Sequence, residues 1–168
     1  QHGLKDHWTR FVSQGGYVLG ICNGFQVLTR LGVFGEDLSL CHNRYSGFLN
    51  RWVKLSLVSK NPYTRKLIEE GITELHIPMR HGEGRLEFSS EQKASQYLEK
   101  GLVSFRYQED VNGSSLQIAG LNTENGRIMG MMPHPEAFWC AELDPTRKGN
   151  PLGLTVFESI YEEISHDR

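Results

Sequence analysis

A cysteine between two glycines is the sharpest chemical signal in this sequence. Residues 20–24 (GICNG) place Cys22 between an apolar strand pattern and a helical pattern. Small residues around a nucleophile allow the tight strand-to-helix turn that exposes its side chain. The first amides and the positive dipole end of the helix can stabilise negative charge there. We therefore predict a nucleophile at Cys22; the alternative is a cysteine that only packs in a tight crossing.

A His-x-Glu unit much later in the chain supplies the groups that a cysteine nucleophile needs. Residues 131–136 (MMPHPE) contain His134 and Glu136. The two prolines predict an extended segment, in which alternate side chains point to the same side. The carboxylate could then orient the imidazole, and the imidazole could act as base and then as acid. Alone, His134 is better explained as a surface or hydrogen-bonded loop histidine; together with Cys22 it predicts a catalytic triad.

The two motifs together resemble the paired signature of class I glutamine amidotransferases. The resemblance rests on residues 20–26 (GICNGFQ) and on 134–136 (HPE). Residues 118–120 (IAG) and 130–136 (GMMPHPE) are similar to one branch, the PurQ-type glutaminase subunit of phosphoribosylformylglycinamidine synthase. Residues 51–53 (RWV) and 81–84 (HGEG) are similar to further stretches of that branch, so the resemblance covers nearly the whole chain.

The resemblance implies hydrolysis of L-glutamine to glutamate and ammonia through a thioester on the cysteine. It also places five further residues around the substrate. The backbone amide of Asn23, beside Gly24, would bind the oxyanion, and Gln26 would contact the amino acid part of glutamine. His81 and Gly82 would line the pocket. The alternatives are that Gln26 bonds to nearby backbone and that residues 81–84 form a plain loop.

The resemblance further implies partners and a cofactor arrangement. The ammonia would be delivered to a synthetase subunit that amidates formylglycinamide ribonucleotide in purine biosynthesis, and a small accessory subunit is expected in the same complex. Residues 82–84 (GEG) lack the Lys-Ser/Thr of a phosphate-binding loop. We therefore expect no cofactor on this chain, with ATP and Mg²⁺ bound by the synthetase partner.

Composition excludes several other classes of function. The chain has 18 basic and 20 acidic residues and a net charge of −2, so no basic field attracts nucleic acid or an anionic membrane. No apolar run approaches the roughly 18 residues of a membrane span. Cys22, Cys41 and Cys140 form an odd set without CxxC spacing, and no helical His-x-x-x-His pair occurs. We predict no metal, a reducing cytoplasmic setting, and packing or surface roles for Cys41 and Cys140.

The hydrophobic pattern predicts the elements that position these residues. Leu4, Trp8, Phe11 and Val12 have helical spacing. A strand over 17–21, buried on both faces, precedes a helix from Asn23. The further predictions are strands over 50–58 and 101–107, a hairpin of 116–121 with 127–131, a helix or loop over 89–100, and a closing helix that can start at residue 151. We expect an α/β fold of the class I amidotransferase (flavodoxin-like) type: a parallel sheet with flanking helices and an antiparallel addition.

The length and two departures from the family pattern qualify these expectations. At about 150 residues per domain, 168 residues predict a single type 1 amidotransferase domain over 1–168. Only 21 residues precede Cys22, whereas the family places several strands there and a loop with a second oxyanion amide, so we expect an N-terminally incomplete domain. Ala137 stands where relatives carry arginine. The alternatives left open are another class I amidotransferase or amide hydrolase, and a catalytically silent binding or regulatory subunit.

Overall fold

A six-stranded mixed sheet with helices on both faces organises this computed structural model, which describes residues 2–45, 47–146 and 149–166. The strands are β1 (Val18–Ile21), β2 (Leu38–His42), β3 (Leu49–Leu57), β4 (Glu74–His81), β5 (Glu83–Phe88), β6 (Val103–Tyr107), β7 (Ile118–Asn122) and β8 (Ile128–Met131). The α-helices are α1 (His2–Ser13), α2 (Asn23–Arg30), α3 (Arg65–Glu69), α4 (Glu91–Glu99) and α5 (Gly153–His166). Three short 3₁₀ turns span Ser115–Gln117, Pro135–Ala137 and Ala141–Leu143.

The strand order and directions test the predicted sheet. The large sheet runs β1-β8-β7-β6-β3-β4, and β2 pairs with β5 in a separate antiparallel sheet. The α/β class, the flanking helices and the antiparallel addition are confirmed. Among the described residues, however, only β1 and β8 pair in parallel, and the other neighbours in the large sheet are antiparallel. The antiparallel part is therefore larger than the sequence predicted.

Most predicted elements are present with similar bounds. The predicted hairpin is β7 and β8, which pair antiparallel across the turn at Asn125-Gly126. The predicted strands over 50–58 and 101–107 are β3 and β6, and the predicted segment over 89–100 contains the helix α4. Ser90 caps α4 by accepting a 3.2 Å hydrogen bond from the Lys93 amide. The closing helix is α5, and the first predicted helix is α1.

The burial of β1 differs from the prediction. Its apolar run predicts a strand covered on both faces, but in β1 only Gly20 is buried, and Val18, Leu19 and Ile21 are half-buried. The physical reason is position, because β1 is an edge strand that pairs with β8 alone among the described residues. The continuous apolar run therefore reflects packing of both faces at the border of the sheet rather than at its centre.

Two apolar clusters cover the opposite faces of the large sheet. Alternate residues of β8 separate them: Met129 and Met131 belong to one cluster, and Ile128 belongs to the other. The first cluster packs the sheet against α3 and α5, and the second packs it against α1, α2, α4 and the small sheet. Trp8 and Val12 of α1 pack against the second cluster, whereas Phe11 is about half exposed. The side chain of Leu4 lies outside the described residues.

Candidate active site

The elbow that carries Cys22 adopts the strained turn that the glycines predict. Cys22 has φ 51° and ψ −103°, in a region that side chains other than glycine rarely occupy. Its amide donates a 2.8 Å hydrogen bond to the carbonyl of Met131 on β8, and its carbonyl accepts a 3.1 Å bond from the amide of Gln26. The turn is thus fixed from the sheet side and from the helix side, with the thiol held where β1 ends.

Only the first of the two flanking glycines, Gly20, is required for steric reasons. A Cβ on Gly20 would lie 2.5 Å from the side chain of Leu28 and 2.9 Å from the carbonyl carbon of Gly24. A Cβ on Gly24 would have no neighbour within 4 Å. The sequence pattern treats these positions as equivalent, but the close crossing of β1 and α2 depends on Gly20.

The predicted His-Glu pair forms, although the backbone differs from the prediction. The Nδ1 of His134 and the Oε1 of Glu136 are 2.6 Å apart. The segment is not extended as predicted, because Pro135–Ala137 forms a 3₁₀ turn. The amide of His134 donates a 2.8 Å hydrogen bond to the carbonyl of Pro78 on β4. This bond and the following turn bring the two side chains together without an extended chain.

Cys22 and His134 lie beside each other and are electrostatically coupled. The pKa of His134 is raised to about 9, first by a hydrogen-bonding approach of the Cys22 side chain and then by Glu136, while burial opposes the rise. The approach falls short of a full hydrogen bond, since the buried Nε2 of His134 lacks a hydrogen-bond partner among the described residues. The Sγ of Cys22 instead donates to the carbonyl of Arg80 at 3.6 Å. The three predicted triad residues are thus brought together around one imidazole.

Glu136 is held ionised by its neighbours. Partial burial acts to raise its pKa, but the hydrogen bond from His134 and the positive charges of His134 and Arg80 outweigh it and lower the pKa. Arg80 lies on β4, directly before His81. A basic side chain therefore acts on Glu136 from a strand, while Ala137, where the resembled family carries arginine, lies within the 3₁₀ turn.

The residues predicted to surround the substrate lie in two places, the first turns of α2 and the turn between β4 and β5. The Nε2 of Gln26 donates a 2.6 Å hydrogen bond to the carbonyl of Glu83, so α2 is tied to this turn. His81 is 3% exposed and Gly82 is half-buried. Asn23 is exposed and Gly24 is half-buried at the start of α2. The structure thus joins Gln26 to the turn that holds His81 and Gly82, with the helix N-terminus nearby.

His81 is an unusual buried imidazole beside the triad. Burial, and secondarily the charge of His134, lower its pKa to about 4. Neither of its ring nitrogens has a hydrogen-bond partner among the described residues, although its carbonyl accepts a 2.8 Å bond from the Nδ2 of Asn43. The ring packs over Gly84, where a Cβ would lie 2.3 Å from it. A neutral imidazole is therefore held at the site with both nitrogens available.

Three residues at this site were not expected from the sequence. Asn43 links two loops, since its side chain donates to the carbonyls of His81 and Gly47. Arg80 contributes its carbonyl to the thiol and its charge to Glu136. Tyr107, which ends β6, is buried with an unpartnered hydroxyl and interacts electrostatically with Cys22. The only available signal for Arg80 was its position directly before the predicted residue His81.

The described ranges contain no group of three or more His, Cys, Asp or Glu side chains that could hold a metal ion. None of the helices in those ranges has the length and apolarity needed to cross a membrane. Cys41 and Cys140 are free thiols. The expectation that this chain binds no metal stays a prediction.

Comparison with known proteins identifies the family. The family of CobB/CobQ-like glutamine amidotransferase domains matches residues 1–161. The chain belongs to this family. The resemblance to class I glutamine amidotransferases of the PurQ type is confirmed by the relatives below.

Relatives within the amidotransferase family carry one recurrent name. The chain is 36% identical to phosphoribosylformylglycinamidine synthase subunit PurQ of Dehalococcoides mccartyi, over 80% of this chain and 56% of that protein. It is 38% identical to the subunit of the same name from Lacticaseibacillus casei, over 95% of this chain and 66% of that protein. The chain therefore spans less than two thirds of the length of these amidotransferases.

A solved structure confirms the fold class. The chain superposes on a chain of the structure of PurLQS from Thermotoga maritima with a TM-score of 0.73 and 31% identity, covering 93% of this chain and 66% of that chain. A protein from Thermoplasma acidophilum, assigned as part of a GMP synthase, matches with a TM-score of 0.54 and 15% identity, which supports the fold alone.

Proposed function

We propose that this chain hydrolyses L-glutamine to glutamate and ammonia as the glutaminase subunit of phosphoribosylformylglycinamidine synthase. The observation that carries the proposal is the meeting of Cys22, in its strained elbow, with the His134–Glu136 pair. The name shared by the similar proteins supports the choice of this branch. A thiol brought beside an imidazole that a carboxylate orients is the arrangement that acyl transfer to cysteine requires.

In the first step, the Sγ of Cys22 attacks the side-chain amide carbon of glutamine. A sulfur–carbon bond forms, and the thiol proton passes through the Nε2 of His134 to the amide nitrogen. The carbon–nitrogen bond then breaks and ammonia leaves. Glu136 keeps the Nδ1 of the imidazole oriented and stabilises the protonated ring.

In the second step, water hydrolyses the thioester on Cys22. His134 takes a proton from the water, whose oxygen attacks the thioester carbon. The carbon–sulfur bond breaks, glutamate forms, and the proton returns to the sulfur through the imidazole. No other reactant is needed, so the products balance glutamine plus water.

The remaining predicted residues hold the substrate in this proposal. The amide of Asn23, followed by Gly24 in the first turn of α2, donates to the oxyanion. Gln26 uses its Nε2 to fix the β4–β5 turn, which leaves its carbonyl oxygen as the group for the ammonium of glutamine. His81 and Gly82 line the pocket on the other side.

The released ammonia would pass to a synthetase subunit that amidates formylglycinamide ribonucleotide. We place ATP and Mg²⁺ on that subunit, and we expect a small accessory subunit in the complex and a cytoplasmic setting. Support comes from the solved structure named PurLQS, which superposes on this chain. The net charge of −2 offers no field for nucleic acid or an anionic membrane.

The test is glutamate release from glutamine by the chain alone and with the synthetase subunit of the same source. We expect partner-stimulated release that Cys22→Ala reduces to background, because Cys22 is the thiol that lies beside His134. Cys41→Ala is the matched control, since Cys41 is also a free, half-buried thiol, and it should retain activity.

Two results would overturn the proposal in favour of its alternatives. The first is a rate of hydrolysis, of glutamine or of another amide, that does not change when the synthetase and formylglycinamide ribonucleotide are added. This result would indicate a different amidotransferase or an amide hydrolase. The second is that glutamine protects Cys22 against an alkylating reagent but is not hydrolysed, even with the partner present. This result would indicate a catalytically silent binding subunit.

A further inference from the structure

Five consecutive backbone carbonyls, those of residues 80–84, accept hydrogen bonds from distant parts of the chain. The segment runs from the end of β4 into β5. The acceptors and their donors are Arg80 with the thiol of Cys22 at 3.6 Å, His81 with the Nδ2 of Asn43 at 2.8 Å, Gly82 with the amide of Asn43 at 3.0 Å, Glu83 with the Nε2 of Gln26 at 2.6 Å, and Gly84 with the Nδ2 of Asn112 at 3.0 Å. Because a peptide unit is planar, a bond to its carbonyl orients the whole unit. The conformation of 80–84 is therefore specified from outside the segment.

The donors to this segment fall into two groups. Cys22 and Gln26 belong to the proposed glutaminase site, where the first is the nucleophile and the second binds the amino acid part of glutamine. The other three bonds come from Asn43, which follows β2, and Asn112, which lies between β6 and β7. The segment 80–84 thus joins these two asparagines to two groups of the site.

Asn112 is a fully buried amide that is fixed at both ends. Its Oδ1 accepts hydrogen bonds from the amide and the hydroxyl of Ser114 at 3.1 and 2.8 Å. These bonds orient the side chain, so that its Nδ2 donates to Gly84. Its own carbonyl accepts a 3.0 Å bond from the amide of Arg44, the residue after Asn43. The loops that carry the two asparagines therefore hold each other as well as the segment 80–84.

The two asparagines reach Gln26 through the carbonyl of Glu83. Asn43 binds the peptide carbonyl before it, on Gly82, and Asn112 binds the one after it, on Gly84. The Glu83 carbonyl between them accepts the Nε2 of Gln26. With Nε2 held in this way, the Oε1 of Gln26 is the end of the amide that remains for the substrate ammonium. A turned peptide unit on either side would remove the bond that decides this orientation.

We propose that Asn43 and Asn112 are positioning residues that hold the Glu83 carbonyl against Gln26 and thereby fix how the site binds glutamine. The inference rests on the proposed glutaminase function, since it concerns the same site. Gln26 contacts the amino acid part of glutamine, which does not react, so its contact contributes equally to the ground state and the transition state. Loss of such uniform binding raises KM and leaves kcat unchanged.

The chain provides a matched control in a second buried asparagine. Asn61 is 8% exposed, and its Oδ1 accepts from the amide two residues on, that of Tyr63, as the Oδ1 of Asn112 accepts from the amide of Ser114. Its Nδ2 donates at 2.9 Å to the hydroxyl of Ser104 on β6, away from the segment 80–84. Aspartate at either position keeps the shape and the Oδ1 acceptor but removes the Nδ2 donor.

The experiment uses the chain together with the synthetase subunit and has two readouts. The first is KM and kcat for glutamine. The second needs no turnover: it is the glutamine concentration that halves the alkylation of Cys22 by iodoacetamide, followed by mass spectrometry.

We expect Asn112→Asp to raise KM and the half-protecting glutamine concentration roughly three- to tenfold, the factor that one net hydrogen bond is worth in an equilibrium. Its kcat should change by less than about twofold. Asn61→Asp should lower the melting temperature about as much as Asn112→Asp does. It should leave KM and the half-protecting concentration unchanged.

A second variant keeps the test decisive if Asn112→Asp fails to fold. Asn43 is half-buried, and its Oδ1 has no hydrogen-bond partner among the described residues. Asn43→Ala therefore removes only the side-chain donations to the carbonyls of His81 and Gly47, and its backbone amide still binds Gly82. We expect KM and the half-protecting concentration to rise in this variant as well, again without a matching fall in kcat.

The outcomes separate this proposal from the proposed function. Unchanged KM and half-protecting concentration in either folded variant would overturn the positioning role, and so would an equal effect of Asn61→Asp. Protection of Cys22 by glutamine that still depends on Asn112, without release of glutamate, would overturn the proposed function alone. Absence of protection in the unaltered protein would overturn both.

Discussion

At the scale of single residues, His134 is the group on which the site's charge balance depends. Its pKa is raised to about 9 by Cys22, whose hydrogen-bonding approach is the largest single cause, and by Glu136. We therefore expect both Cys22→Ala and Glu136→Gln to lower the pKa of His134. Titration of the histidine ring protons by NMR measures this directly.

Cys41→Ala is the control for that titration, because Cys41 is also a free thiol but lies on β2 in the small sheet. It should leave the titration of His134 unchanged. Equal titration of His134 in the unaltered protein and in Cys22→Ala would mean that the thiol and the imidazole are not neighbours in solution.

The same residue links stability to pH. The folded pKa of about 9 lies above the unfolded value of about 6.5. The stabilisation from protonated His134 is thus fully present below about pH 6.5 and is lost as pH rises through about 9. We expect the melting temperature of the unaltered protein to fall over this window more than that of Glu136→Gln, in which His134 has lost a charge partner. An equal fall in the melting temperature of both proteins over this pH range would contradict this linkage.

At the scale of elements, the elbow gives opposite expectations for its two glycines. Gly20→Ala forces a Cβ to within 2.5 Å of Leu28 and 2.9 Å of the Gly24 backbone, and overpacking of this kind costs about 1–3 kcal/mol. Gly24→Ala meets open space at the start of α2 and should stabilise by about 0.4–1 kcal/mol. Urea unfolding of the pair checks the signs.

The two substitutions control for each other, since both add one methyl group within the same turn. Destabilisation by both would mean that the turn needs the backbone freedom of glycine at both positions, as the sequence pattern alone suggests. Stabilisation by both would mean that β1 and α2 do not cross as closely as the structure has it.

The sequence could predict the elements near the site better than their mutual arrangement. The elbow, the β7–β8 hairpin and the His-Glu pair depend on local turn chemistry, and all three are present. The strand β4 was missed because Pro78 interrupts its alternating pattern. Proline is tolerated there since β4 is an edge strand of the sheet.

The missed strand is also the one that completes the site. The carbonyl of Pro78 anchors His134, and the carbonyl of Arg80 accepts the thiol of Cys22. These contacts follow from the register of β4 across the whole sheet, and no local pattern around residues 22 or 134 specifies a register so far away in the chain. The catalytic roles of the triad and the extent of a single domain over 1–168 stay predictions.

At the scale of the whole molecule, the closing helix and the sheet clamp the loop that carries His134. Phe138 follows the 3₁₀ turn, is 1% exposed, and packs edge to face against Trp52 of β3 at 4.9 Å between ring centroids. From the other side, α5 begins with Gly153 against the same loop. The geometry of the catalytic pair is thus supported by a helix that contributes no residue to the triad.

This support predicts that Gly153→Ala acts at a distance. A Cβ at this position would lie 2.1 Å from the carbonyl oxygen of Pro135 and 2.5 Å from that of Phe138. Backbone atoms cannot yield as a flexible side chain can, so we expect a loss of about 1–3 kcal/mol in the free energy of unfolding. Because the displaced loop also carries His134, the pKa of His134 measured by NMR titration should move away from about 9.

Leu154→Ala is the control, since Leu154 is 40% exposed on the same helix. That substitution should change stability by less than about 0.5 kcal/mol and leave the titration unchanged. If Gly153→Ala lowers stability while His134 still titrates at about 9, then α5 stabilises the fold without positioning the catalytic pair.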